Sequence, residues 1–464
     1  MALLPGYRMV RRSGENGADQ LDVDKFAAVM PGDILEVVVS SVGANEQPGK
    51  EPMIVSHVNR RTFAAAGFST LVCGPALMQQ GWAARVWSPV VAGYLAPWKA
   101  RPGGPSIKTI PARELTHLMY AFGTVSAEGL AELTDRCLDA GACDGTAPSG
   151  PFGGNFAQLA ELKWNNPQLR ILISLGGWSG SKYFSAAAAT PLSRARFAQS
   201  VIEAFFRPYP GLFDGVDVDW EFPVSGGRPG NLAHFEDRGN FTLLIAELRR
   251  KLADFSALER RNLELTIAVS STPDKIINLE AAALARLVDR INVMAYDYHA
   301  GSAFAGFNAP LFACAGDPNP DLNVDASVNA LIRAGVPPAK VTLGMAFYGR
   351  AVAEVPQEKG GLFQQGATAS EEWGGSDGID YRDLVARRPE EQGFRRYWSD
   401  EAQVPWLYNA ERRLWISYDD PLSIACKAMY ARAHALAGIM IWDLFADDGS
   451  LLAALHTLPV RKSE

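Results

Sequence analysis

The chain has 464 residues, 48% of them hydrophobic, with 44 Lys and Arg against 51 Asp and Glu. That balance excludes a disordered tail, a fibre and a multi-pass membrane protein, and a net charge of −7 offers no general field for nucleic acid or an anionic membrane surface. Length admits either several domains or one large α/β barrel.

Residues 1–52 hold scattered charges and one strand-like run, ILEVVVSSV, and carry no recognisable chemistry. Residues 53–83 start at Met53, bring paired Arg60 and Arg61 ahead of Thr62 and Phe63, continue as an apolar stretch and end in small residues near Ala83. Basic pair, apolar run and small-residue exit match the three parts of an export signal of the twin-arginine kind. The apolar run is shorter than the roughly 20 residues a membrane span needs. Because a signal stands at the start of a chain, Met53 is expected to be the initiator and 1–52 an over-long extension. The alternative is an amphipathic helix packed on the main domain.

The five cysteines, Cys73, Cys137, Cys143, Cys314 and Cys426, form no CxxC pair and no zinc-like cluster with histidine, so neither a metal nor a cofactor is expected. Cys137 and Cys143 lie close together in DRCLDAGACDG, where a small disulfide loop and two free thiols are both open readings.

From residue 90 onward, β-branched and aromatic runs alternate with helix-like stretches. The runs are 90–98, 117–125, 170–178, 215–222, 263–271, 290–298, 341–349 and 438–445. Between several of them lie segments with apolar residues at three- and four-residue spacing, such as FTLLIAELRRKLADF and SIACKAMYARAHAL. Strand, helix, strand in repetition demands parallel pairing, and nearly continuous apolar strands demand cover on both faces. Eight units predict an α/β fold, a (β/α)8 TIM barrel over 90–455. A doubly wound open sheet is the runner-up, but no run leads into a GxGxxG turn. The long gap between the seventh and eighth runs predicts a small α+β insertion, 351–414, forming a wall beside the C-terminal mouth.

In such a barrel, polar residues at the C-terminal ends of strands face the active site. Here they are Tyr94 and Trp98, Ser174, Asp217 to Glu221, Ser270, Tyr296 to Tyr298, Tyr348 and Trp442. The fourth run reads Asp217-Val-Asp219-Trp-Glu221, so side-chain alternation puts three acids on one face. Three buried carboxylates cannot all ionise near neutral pH, and a proton kept on the outermost one is what a general acid requires. Ion pairing with Lys or Arg and a divalent-metal cage are weaker readings, since the neighbouring strand ends supply Tyr, Ser and Met.

These residues carry a resemblance. DGVDVDWEF is similar to the DxxDxDxE signature of glycoside hydrolase family 18, the chitinase family, and SLGG at 174–177, MAYDY at 294–298, FYGR at 347–350, ISYDDP at 416–421 and Trp442 continue it in order. The resemblance implies a hydrolase of chitin and chito-oligosaccharides, retaining and substrate-assisted; a monomer is expected, exported to the periplasm or the exterior if the signal starting at Met53 is used. It makes Glu221 the acid and Asp219 the group that orients the substrate's acetamido arm. Asp217 supports Asp219, and Ser174 supports Asp217. Tyr296 donates to the acetamido oxygen, Asp297 contacts sugar and acid, and Trp442 is the floor. Tyr94, Gly176, Gly177, Met294, Tyr348 and Arg350 match positions at the sugar subsites. Trp98, Trp178 and Trp220 are further candidates, with Trp220 expected to face the helix layer. His299 resembles part of the family's YDYHG stretch, although Ala300 replaces its glycine, and none of the six histidines is expected to be catalytic. Two other functions compete: an endo-β-N-acetylglucosaminidase acting on glycoprotein glycans, and a non-hydrolytic chitin-binding lectin, which typically lacks the acid at the position of Glu221.

Overall fold

A computed structural model of the chain describes residues 87–456, apart from 102 and 144–151, together with two short strands near the N-terminus. Met9–Val10 and Gln20–Leu21 pair antiparallel, in a unit (Met1–Ser88) distinct from the one that begins at Pro89. The expected export signal at 53–83 lies outside the described residues, as do the ILEVVVSSV run and nearly all of the 1–52 extension.

The second unit is built on eight parallel strands, one in each expected run. They are β1 (Val90–Leu95), β2 (His117–Val125), β3 (Arg170–Gly176), β4 (Gly215–Asp219), β5 (Glu264–Ser270), β6 (Arg290–Met294), β7 (Val341–Ala346) and β8 (Gly438–Trp442). Each pairs with the next and β8 returns to β1, so the sheet closes. The helical segments follow: Pro191–Val201, Asp237–Glu259, Val324–Arg333 and Pro421–Ala433. Val216, Val218, Ile267, Val293 and Leu343 alternate outward and are fully buried. Ala92, Tyr94, Met119, Ala121, Leu172, Ala346 and Met440 alternate inward and share one cluster. Trp220 lies on the outer side, stacked on Phe184 with the edge of Phe241 against it.

Two residues beyond β7 the chain enters an antiparallel sheet. Tyr348–Ala353 lies between Ala367–Thr368 and Leu414–Ser417, followed by Val404–Asn409 and the edge strand Arg395–Ser399. Ile379–Asp380 pairs with Tyr348 and Gly349, and the helix Tyr381–Ala386 follows directly. The sheet's apolar side closes over Phe307, which comes from the segment after β6 and packs with Trp406 and Trp415. The strand bearing Tyr348 thus belongs to both the barrel mouth and the insertion. On the β2 side of the mouth, Cys137 and Cys143 are disulfide-bonded.

The opposite end of the barrel is closed by charge. Glu264, first residue of β5, meets Nη2 of Arg290, Nε of Arg170 at 3.0 Å and Nε2 of His117 at 3.1 Å, from the first positions of β6, β3 and β2. Burial would raise the Glu264 carboxyl, but the His117 hydrogen bond and the Arg290 charge hold it at about 2. Its contribution to stability is therefore complete above the ordinary Glu pKa and is lost as pH falls through the folded value. Glu264→Gln leaves Arg290 buried without its counter-charge, and urea titration at pH 7 should show a loss of about 2–4 kcal/mol. The gap between variant and wild type should narrow as pH falls from about 4.5 toward 2.

Candidate active site

Asp217 occupies the middle of β4, inside the barrel and with no exposure. Four side chains from four other strands donate to it. Tyr94 (β1) and Ser174 (β3) reach Oδ2 at 2.8 and 2.7 Å, while Thr266 (β5) and Asn292 (β6) reach Oδ1 at 2.5 and 3.1 Å. The strand register brings them there, since Ser174 and Thr266 lie directly beside Asp217 in the ladders. Asn292 is itself oriented by Thr342 of β7, whose hydroxyl donates to its Oδ1 and leaves the amide nitrogen facing the carboxylate. Burial pushes the Asp217 carboxyl above its ordinary range, and the four donors work against that shift. Thr266, Asn292 and Thr342 did not stand out as site residues in sequence. Their signal is a polar residue at an inward position of an otherwise apolar strand.

Asp219, the last residue of β4, is 3% exposed, and its Oδ1 has no hydrogen-bond partner. Burial, then the charges of Glu221 and Asp217, raise its carboxyl well above normal. β4 ends at Asp219, so Glu221 lies just past the strand rather than on its face. It is half-buried, and two residues fix its backbone: Ser181 Oγ accepts its N–H at 2.9 Å, and Asn231 Nδ2 donates to its carbonyl at 2.9 Å. Burial, reinforced by the negative charge of Asp297, raises the Glu221 carboxyl to about 8. Among the described residues none of these three acids is in an ion pair, in contrast to Asp297.

Asp297 has a positive φ of 60°, and its backbone N–H is held by Asn308 Oδ1 at 3.2 Å. Arg350 grips both of its carboxylate oxygens, at 2.9 and 2.8 Å, and the Tyr348 hydroxyl donates to Oδ1 at 2.6 Å. Tyr296 is buried, with its hydroxyl 3.9 Å from the Met440 sulfur. Gly344 makes room for that ring, since a Cβ there would meet the ring at 3.0 Å. His299 is buried against Asp317 at 3.0 Å, pointing into the loop and not into the site.

The apolar side of the site centres on Trp442. Its ring lies 5.8 Å from Phe122, 5.8 Å from Tyr94 and 6.2 Å from Trp98. Phe122 went unremarked in sequence because it falls within an apolar run. Met294 packs on the edge of the barrel core. Gly176 has a φ of 111° and would put a Cβ 2.1 Å from the Asp219 carbonyl, while a Cβ at Gly177 would strike Phe122. These two glycines let β3 turn away close under the acids. One expectation changes. Tyr94 was expected among the sugar-lining residues, but it is enclosed with its hydroxyl donating to Asp217, so it acts beneath the carboxylates, beside Ser174, which donates to the same oxygen.

The sequence model of the family described as glycosyl hydrolases family 18 matches residues 90–447. The chain belongs to that family. It is 35% identical over 402 residues to chitinase A1 of Niallia circulans, an alignment covering 78% of this chain and 57% of that relative. The chain thus spans little more than half the length of that protein. A family 18 N-acetylglucosaminidase from Paenibacillus barengoltzii superposes with a TM-score of 0.67 at 35% identity, covering 80% of this chain and 99% of the other. Chitinase ChiA74 from Bacillus thuringiensis superposes with a TM-score of 0.73 at 31% identity, covering 81% and 71%.

In this family 18 glycoside hydrolase the cage around Asp217 is open to a direct test. Thr266→Val keeps the shape of the side chain but removes one of the four donors from a fully buried carboxylate. Urea unfolding should show a loss of about 1–3 kcal/mol, and kcat/KM should fall as the charge that Asp217 presents to the neighbouring Asp219 is disturbed. Wild-type stability and turnover in this variant would mean that the Thr266 hydroxyl contributes nothing to the cage.

Proposed function

We propose that this family 18 hydrolase cleaves β-1,4-linked N-acetylglucosamine in chitin and chito-oligosaccharides, with retention and with the substrate's own acetamido group as nucleophile. The observation that carries this reading is the unpartnered oxygen of Asp219. Asp217 has its acceptor positions filled by four donors and Glu221 holds a proton up to about pH 8. Asp219 alone of the three is left with a buried oxygen, Oδ1, that lacks a donor. An incoming amide N–H satisfies it, and a sugar with only a 2-hydroxyl offers neither the same reach nor a nucleophilic carbonyl.

Glu221 donates its proton to the glycosidic oxygen as the bond to the anomeric carbon breaks. The acetamido oxygen attacks that carbon from the other face and forms an oxazolinium ring, a route that needs no second carboxylate as nucleophile. Asp219 accepts the acetamido N–H at Oδ1, while Tyr296, kept protonated by burial, donates to the acetamido oxygen. Water then opens the ring, giving its proton to Glu221, and the β-anomer results. Trp442 underlies the reacting sugar as a flat apolar platform, and Asp297, fixed by Arg350 and Tyr348, presents acceptor edges to its hydroxyls.

We place this activity outside the cytosol, in a monomeric enzyme free of the membrane. The Cys137–Cys143 bridge supports an oxidising compartment, and no helix among the described residues is long and apolar enough to cross a membrane. The intact Glu221 favours hydrolysis over a lectin role.

The test is turnover of N-acetylglucosamine oligomers by wild type and Glu221→Gln. The variant should lose roughly 10²–10⁴-fold in kcat, the usual worth of a general acid, and early wild-type products should be β-anomers by NMR. Because the acid must be protonated, kcat/KM should fall as pH rises through about 8, an apparent value belonging to the Glu221 and Asp219 pair. Undiminished turnover in the variant, α-anomeric products, or equal activity on glucans lacking the acetamido group would overturn the mechanism.

A further inference from the structure

We infer that Lys99 is a positioning residue that sets the width of the sugar cleft, its ammonium tying the aromatic floor to the polar wall opposite. Lys99 closes the single turn Pro97–Lys99 that follows β1, directly after Trp98. Its Nζ lies 2.7 and 2.8 Å from the two oxygens of Asp380 and 2.7 Å from Oδ2 of Asp443. Each partner leads to a different side of the site.

Asp443 directly follows Trp442 at the end of β8. It is 3% exposed, and its second oxygen accepts the Phe445 N–H at 2.9 Å, so the carboxylate is fixed from both sides. Asp380 belongs to the insertion and stands opposite Tyr348 in the antiparallel ladder. Tyr348 and Arg350 hold Asp297, and Arg350 also donates to the Ser376 carbonyl at 2.5 Å, a few residues before Asp380. The ammonium therefore joins the backbones that carry Trp98 and Trp442 to the strand pair that carries Tyr348 and Arg350. A bond from Arg382 to the Phe445 carbonyl crosses the same junction at 3.3 Å, but it is a single contact with a neutral group.

Charge makes this tie specific. Burial of Lys99 opposes its charge, and Asp443 and Asp380 overcome that, holding the ammonium above its ordinary range. Without it, the part-exposed Asp380 and the buried Asp443 carboxylates face one another, and the insertion is pushed away from β8. A pyranose gripped between Trp442 and the Tyr348, Arg350 and Asp297 wall is sensitive to such a shift, because stacking and hydrogen bonding are met together only at one spacing.

The inference rests on the cleft being the site for N-acetylglucosamine oligomers. Steady-state kinetics on the tetramer and hexamer, with thermal unfolding alongside, compare wild type, Lys99→Met, Lys99→Arg and the double variant Lys99→Met with Asp380→Asn. Lys99→Met should raise KM about tenfold while kcat falls much less, the signature of lost binding rather than lost chemistry. Lys99→Arg, which keeps the charge and can bridge both acids, should restore KM most of the way. The double variant removes the repulsion without replacing the tie, so it should regain thermal stability but keep the high KM. A wild-type KM in Lys99→Met, failure of Lys99→Arg to restore KM, or recovery of KM together with stability in the double variant overturns the positioning role. If wild type itself does not turn over the oligomers, the substrate reading falls as well, which separates the two failures.

Discussion

One buried carboxylate dictates much of this barrel. Asp217 sits in the centre of a closed sheet with no exposure, where an unpaired charge would cost far more than any single contact returns. The solution is to take one donor from each of four other strands, on both sides of the acid, and to orient the amide among them with a hydroxyl from a fifth, β7. The inward polar residues of β1, β3, β5, β6 and β7 follow from that one requirement. So does the register, because a slip of one residue would turn every donor outward and leave the carboxylate alone.

The saturation of Asp217 gives its neighbours their character. Four donors hold the Asp217 carboxyl in place, and burial, then the charges of Glu221 and Asp217, make ionisation of Asp219 difficult. Glu221 feels burial and the charge of Asp297. Along this segment the environment changes from fully satisfied at Asp217, through buried with an unpartnered oxygen at Asp219, to half-buried and proton-bearing at Glu221. Three chemically similar acids thereby acquire different tasks from their surroundings alone. Asp297 shows the contrast: equally part of the site, it has Arg350 bound across both oxygens and takes the role of a fixed acceptor.

The barrel was legible because its strands are buried on both faces and so read as apolar runs, and because the segments between them keep helical spacing. The acids were legible because three of them alternate in a run that otherwise has none. The cage was not. Thr266 and Asn292 each appear once, inside runs whose apolar neighbours dominate the pattern, and nothing local says that they converge on a residue many positions away. Tyr94 was expected to line the sugar because it stands near a strand end and matches a subsite position of the family. It lies one layer deeper, and only the register reveals that. Ser181 and Asn231, which hold the backbone of Glu221, come from loops whose sequences carry no period at all.

The end of β4 explains why the acid needs those loops. A strand delivers side chains at fixed positions along a rigid ladder, which suits Asp217, whose partners are themselves strand residues, and Asp219, which must face the substrate. A general acid must stand above that ladder, beside a leaving group, where no neighbouring strand supplies a hydrogen-bond partner for its backbone. The chain therefore departs from the sheet at Asp219, and the backbone polar groups of Glu221 are met instead by the hydroxyl of Ser181 and the amide of Asn231. Ser181 in turn donates to the carbonyls of Gly177 and Asp219, so the loop after β3, the end of β4 and the acid form one hydrogen-bonded knot. The glycines at 176 and 177 are what let that loop come so close, and their lack of a side chain is as much a part of placing the proton as the acid that carries it.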